Sequence, residues 1–317
     1  MDTSWLAILY DHLQISLGPD WFWSEAQKPD DQMHIIVRWF KSVCEVELDD
    51  RGHFSRGTIE TETPATLALR SIAYDLLCVV QMKGAPVGTI ERLKGTDSFE
   101  GARYQLWVAA SFLRAGFQIE FEDETDRRQT HCEFTATYPR NGARYSVEAK
   151  RRHRRNLDLV EAYRAGEYIR LDIQGLISAA VRKNAAHPRI IFVDVNMLPP
   201  EGGIVAAPWV RELKASKEVL ERQQPFRSRN APWAFLLATN HPYHYLTTER
   251  PDPRQHFLAT CFNHPAFYKD PNIMARQHPA VLQLMSSIRD HFAIPDDFVN
   301  QACLRRRLAK PPRGTSA

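Results

Sequence analysis

Residues 144–152 read Arg144-Tyr145-Ser146-Val147-Glu148-Ala149-Lys150-Arg151-Arg152, and the alternation inside this run decides how the middle of the chain is built. Successive side chains of an extended strand point to opposite faces, so Glu148 and Lys150 share one face while Ala149 looks the other way. A carboxylate and an ammonium so placed converge on one small volume. On a helix the same spacing would turn them apart.

Upstream, Thr130-His131-Cys132-Glu133-Phe134-Thr135-Ala136-Thr137-Tyr138 reads as a second extended run, bringing another acid, Glu133, about one hairpin away. Pro139, Asn141 and Gly142 supply the turn between the two runs. Gln118-Ile119-Glu120-Phe121-Glu122 alternates in the same way. It follows a helix that starts around Asp97 or Ser98, carries Glu100 in its first turn and ends at Gly116. Downstream, 156–186 holds an apolar stripe of helical spacing, Leu171, Ile173, Leu176, Ile177 and Val181. Arg189 to Asn196 is then a β-rich apolar run suited to a strand covered on both faces. A strand reached through a helical crossover pairs in parallel, so the predicted order is helix, three strands, helix, strand in a mixed sheet. Trp233 to Asn240 predicts a further buried strand.

A second Glu-x-Lys, Glu212-Leu213-Lys214, lies where Trp209, Leu213, Val219 and Leu220 recur at helical spacing, so its acid and base diverge. Context selects the first match.

This order, with an acid on the second strand and Glu-x-Lys on the third, resembles the core of the PD-(D/E)xK nuclease superfamily, the restriction-endonuclease-like fold. The resemblance covers roughly residues 97 to 196. It implies an α/β fold whose mixed central sheet, in αβββαβ order, is flanked by helices. It also implies that Glu133 and Glu148 hold a divalent metal, Mg²⁺ with Mn²⁺ as a substitute, and that Glu100 completes the ligand set. Lys150 would act on the attacking water or on the transition-state charge, with Gln174 of the crossover helix as an accessory residue. The implied activity is endonucleolytic hydrolysis of DNA. The implied setting is anti-phage defence, restriction or repair, as the effector of a separate sensor or helicase subunit. Two other functions suit the same residues: a nuclease-like nucleic-acid-binding or scaffold subunit without catalysis, and a nuclease that cuts RNA.

The chemistry agrees with these residue types independently of any family. Phosphodiester hydrolysis needs hydroxide near neutral pH and positive charge against the transition state, and a carboxylate-held Mg²⁺ supplies both. Mg²⁺ takes one or two carboxylates plus waters and substrate phosphate. A lysine ammonium beside it is a mobile point charge for water or phosphate.

With 317 residues, 44% hydrophobic and 25% charged, the chain has the length for a sizeable core. Its net charge of +3 is too small to imply nucleic-acid binding, so the distribution matters more. Lys150-Arg151-Arg152-His153-Arg154-Arg155 directly follows the acid, and Arg151, Arg152, Arg154 and Arg155 are expected to meet a phosphate backbone. Arg305-Arg306-Arg307 opens a basic tail. Five cysteines without Cys-x-x-Cys spacing predict reduced thiols and a cytoplasmic protein. No signal peptide or membrane span is expected. His241 and His244, three apart, lack partners with zinc-ligand spacing. Apolar residues at helical spacing before residue 95, such as Ile35, Ile36, Trp39, Phe40 and Val43, complete the predicted organisation. It consists of a helical N-terminal region over 1–95, a nuclease-like core over 96–245 and an irregular C-terminal extension with the basic tail over 246–317.

Overall fold

The structure is a computed structural model that describes residues 4–47, 63–82, 87–122, 131–152, 171–197, 208–223, 234–240, 257–262 and 271–290. The helices described ahead of the sheet are α1 (Ser4–Leu17), α2 (Pro19–Ala26), α3 (Ile35–Glu47), α4 (Pro64–Met82), α5 (Val87–Lys94) and α6 (Phe99–Arg114). The alternating runs then form an antiparallel meander, β1 (Gln118–Phe121), β2 (Phe134–Tyr138) and β3 (Ala143–Arg151). Between β2 and β3 the Gly142 N–H donates to the Tyr138 carbonyl at 2.9 Å, with Gly142 at φ +68°, a conformation that lacks a steric cost only for glycine.

The register pairs Phe134 with Val147 and Tyr138 with Ala143. It therefore turns Phe134, Ala136, Tyr138, Tyr145, Val147 and Ala149 to one face, where all are buried, and Ser146, Glu148 and Lys150 to the other. Helix α7 (Ile173–Val181) crosses over to β4 (Arg189–Asp194), which lies parallel to β3. Helix α8 (Pro208–Glu221) leads on to β5 (Ala234–Thr239), parallel to β4. Strand β6 (Phe257–Phe262) runs antiparallel beside β5, giving a six-stranded sheet in the order β1-β2-β3-β4-β5-β6. The chain is thus α/β, with a mixed open sheet flanked by helices. Every residue of β5, and of β4 apart from Arg189, is buried, as a strand covered on both faces requires.

One core fills the face bearing Val147. It runs from Leu9, Leu13, Ile36 and Leu69 of the first helices through Trp107 and Phe112 of α6 to Val147, Ala149 and Phe192 of the sheet. Helix α6 is the shared layer. The boundary expected near residue 95 consequently separates no two cores, because the N-terminal helices are packed onto the sheet through α6. Ile173, Ile177, Trp209 and Leu213 of α7 and α8 cover the opposite face, against Ile191, Val193 and Leu236. After β6 come α9 (Pro271–Gln277) and α10 (Pro279–Asp290), and Ala280, Val281, Leu284 and Ile288 join the first core. The expectation of an irregular C-terminal extension is corrected here: its described residues include a strand of the main sheet and two helices. The basic tail lies outside the described residues. No helix among the described residues is long and apolar enough to cross a membrane.

Buried charge ties the helical layer together. Asp75 on α4 accepts from Arg103 Nη1 at 2.8 Å and from Arg114 Nη1 at 3.1 Å, both arginines belonging to α6.

Candidate active site

Glu133 immediately precedes β2, and its backbone N–H donates to the Val147 carbonyl at 2.9 Å. This bond departs by one residue from the β2–β3 register, so Glu133 stands at a bend where the ladder ends; it lines a small pocket with Arg92 of α5 and Gln105 and Leu106 of α6, within reach of the charge of Glu148. Glu148 is fully buried, flanked by β2 and β4. Lys150 Nζ lies 2.5 Å from Glu148 Oε1, as the shared strand face demands, and a second ammonium, Lys183 Nζ, lies 3.7 Å from the same oxygen. Glu148 Oε2 is buried and accepts no hydrogen bond.

Burial, followed by the charge of Glu148, pushes the Glu133 carboxyl up to about 7, against the pull of Lys150, Lys183 and Arg92. Burial also raises Glu148, outweighing its two lysines. Two neighbouring carboxyls, each held above the usual carboxylate range, are a place where added positive charge is favourable.

Lys183 was not legible as a site residue, since no local spacing relates it to Glu148. It stands just past the last turn of α7, and its backbone is fastened on several sides. Its carbonyl accepts from Arg189 Nη2 at 2.9 Å, and the next carbonyl, of Asn184, accepts from the Cys132 thiol at 3.3 Å. Asn184 also forms an isolated parallel bridge with His131. The turn bearing Lys183 is thereby sewn to the lead-in of β2 that bears Glu133.

Glu100 belongs to a different cluster. It starts α6, on the other face of the sheet, and its carboxylate lies 3.7 Å from Arg151 Nε. Arg151 shares its strand face with Val147 and Ala149, so its guanidinium turns inward. There it donates to the Glu100 carbonyl at 3.4 Å and lies 3.5 Å from Asp194 Oδ2. The Thr239 hydroxyl donates to Asp194 Oδ1 at 3.1 Å and pairs with the Tyr104 hydroxyl at 2.7 Å. The structure does not bring Glu100 to Glu133 and Glu148. Among the described residues no three His, Cys, Asp or Glu side chains are grouped to hold a metal ion.

The expected phosphate contacts are corrected in part. Arg151 is buried at 5% exposure and engaged with carboxylates, because strand alternation sends it into the core. Arg152, half-buried, donates from Nε to the Val195 carbonyl at 2.8 Å and from Nη2 to the Asn196 carbonyl at 3.1 Å. Its guanidinium clamps the chain leaving β4, and burial lowers its pKa. Arg154 and Arg155 lie outside the described residues, as do His241 and His244.

Gln174, the proposed accessory residue, is exposed in the first turn of α7, at the opposite end from Lys183. It lines an open groove of about 480 Å³ between α7 and α8, with Asp172, Arg211, Glu212 and Ser216. Glu212 is on a helix, as its surroundings predict. It caps α7 by accepting the backbone N–H of Leu171 at 3.0 Å and of Ile173 at 3.1 Å.

Two carboxylates suit a hard divalent cation that completes its shell with water and phosphate. The donor set fits on two observations: Glu148 Oε2 is a buried acceptor without a hydrogen bond, and burial and the charge of Glu148 push the Glu133 carboxyl up. Glu133 and Glu148 would hold the ion, without Glu100. No family model matches the chain, and neither a curated protein nor a solved structure matches it.

Proposed function

We propose that this chain is a divalent-metal-dependent endonuclease that hydrolyses phosphodiester bonds in DNA. The observation that carries the reading is the pairing of Lys150 with buried Glu148 at 2.5 Å, with Glu133 near enough to feel the charge of Glu148. Mg²⁺, when bound, supplies an acidified water and charge neutralisation at the phosphate. Glu133 and Glu148 would hold that ion. Lys150, 24% exposed at its side chain, can leave Glu148 Oε1 and present its ammonium to a phosphate oxygen. Little of that interaction is lost to solvent, because the floor of the site is the buried centre of the sheet.

Cys132 and Cys261 are buried and form no disulfide, which suits a reducing, cytoplasmic setting. Service as the effector of a separate sensor or helicase subunit in defence or repair is tested by stoichiometric co-purification of such a subunit.

A second reading, a nuclease-like DNA-binding subunit without catalysis, is favoured by one feature: both lysines already face Glu148 Oε1, and Glu100 faces Arg151. Plasmid cleavage by wild type, Glu148→Ala and Lys150→Ala in Mg²⁺ and in EDTA decides between the two. The nuclease reading expects Mg²⁺-dependent nicking that falls about a hundredfold or more in either variant, roughly 3 kcal/mol of transition-state stabilisation. Wild type that binds DNA and never cuts it establishes the second reading. Glu148→Ala that cuts as fast as wild type removes this active-site assignment.

A further inference from the structure

We infer that Lys183 is a second phosphate-binding residue of this site, forming with Lys150 a two-ammonium clamp on one phosphodiester; the inference rests on the nuclease reading. Both ammoniums converge on a single carboxylate oxygen, at 2.5 Å for Lys150 and 3.7 Å for Lys183. Two ammoniums that reach one oxygen anion have the charge and spacing to share a phosphodiester brought in beside Glu148. The lysines also come from different directions, Lys150 along β3 and Lys183 from the end of α7. Two donors approaching from separate elements can engage two oxygens of one phosphate, whereas two on one element would compete for a single oxygen.

The fastening of the Lys183 backbone supports this role. Its carbonyl is held by Arg189 and that of Asn184 by Cys132, while His131 bridges Asn184. A lysine needed only to neutralise Glu148 could hang from a loose loop. Here the root of the side chain is fixed to the segment that presents Glu133, while its tip, 28% exposed, retains a path to solvent. The longer of the two ion pairs is also the easier to exchange for substrate. Neutralising the buried Glu148 is the competing role, and the test separates them.

The probe is bis(p-nitrophenyl) phosphate, a diester too small to reach other basic surfaces. Its binding is followed by calorimetry in EDTA and its turnover in Mg²⁺. Glu148→Gln removes the carboxylate charge, so a role exerted only through Glu148 disappears in that background. The comparison is therefore Glu148→Gln against Glu148→Gln/Lys183→Met, with Lys183→Met and Lys183→Arg in the otherwise native chain. The clamp expects the double variant to bind the diester about tenfold or more weakly than Glu148→Gln, the scale of one charge-assisted contact. It also expects Lys183→Met to raise KM for turnover and Lys183→Arg to restore part of the loss. Equal binding by the two Glu148→Gln proteins overturns the inference, as does a wild-type protein that binds no diester. Wild type that binds the diester without cleaving it overturns the nuclease reading alone, and the binding comparison still decides the role of Lys183.

Discussion

Glu133 and Val147 are joined by a backbone hydrogen bond of 2.9 Å that lies just past the last ladder pair of β2 and β3. The residue after Val147 is Glu148, so this bond ties the segment bearing Glu133 next to the buried Glu148, near enough for one carboxyl to act on the other. Neither carboxyl ionises easily there. The chain tolerates the arrangement because Lys150 and Lys183 stand on the same oxygen of Glu148.

Stability should therefore fall as pH rises through this region. The folded-state pKa of Glu133, about 7, exceeds its ordinary value of 4.5, so its contribution is complete below about pH 4.5 and lost as pH rises through about 7. Raised Glu148 acts with the same sign. Denaturant unfolding between those pH values is expected to show a loss of up to about 3 kcal/mol, and Glu133→Gln should flatten most of it. Mg²⁺ should raise Tm at pH 8 and hardly at pH 5. An unchanged pH slope in Glu133→Gln would contradict the assignment.

Arg151→Ala should behave as a core mutation. It withdraws a guanidinium from buried Asp194 and from Glu100, and the expected destabilisation is about 3 kcal/mol. DNA affinity of the folded variant, and its dependence on salt, should match wild type. A salt slope shallower by about one ion would restore Arg151 to the phosphate-binding set.

The same residue shows which parts of the chain were legible in the sequence. Period-two alternation carried the meander and placed Glu148 and Lys150 on one face, while Glu133, at a bend before β2, lies outside that parity. That parity also assigned Arg151 to the face of Ala149, yet a run of basic residues reads as a surface cluster when its members are counted and not alternated. Glu100 lies in the first turn of a helix whose spacing is plain, but spacing does not say which side of a sheet a helix covers. Lys183 reaches Glu148 only through the crossover of α7. Phe257 to Phe262 sits among prolines and histidines with no strong alternation, and its strand identity comes from pairing with β5.

Asp75→Ala should be among the most damaging changes outside the site. It removes the carboxylate shared by Arg103 and Arg114 at the buried seam between α4 and α6. Leaving those guanidiniums without it is expected to cost about 3–5 kcal/mol in urea unfolding. Cleavage per folded molecule should be unaffected. A loss below about 1 kcal/mol would mean that the seam reorganises around water.

Strand β3 has an antiparallel neighbour on one side and a parallel neighbour on the other, and these two pairings differ in when they can form during folding. The β2–β3 hairpin closes a short loop, whereas pairing β3 with β4 must wait for a long crossover, and the entropy of closure favours the shorter one first. Glu133 and Glu148 therefore meet early, with Lys150 as their nearest cation, and Lys183 arrives after the transition state. Stopped-flow kinetics should find Val147→Ala slowing refolding and Lys183→Met chiefly hastening unfolding. The opposite pattern would place the crossover in the folding nucleus. The lifetime of the native state, more than the rate of reaching it, is set by the residue that enters this carboxylate pair last.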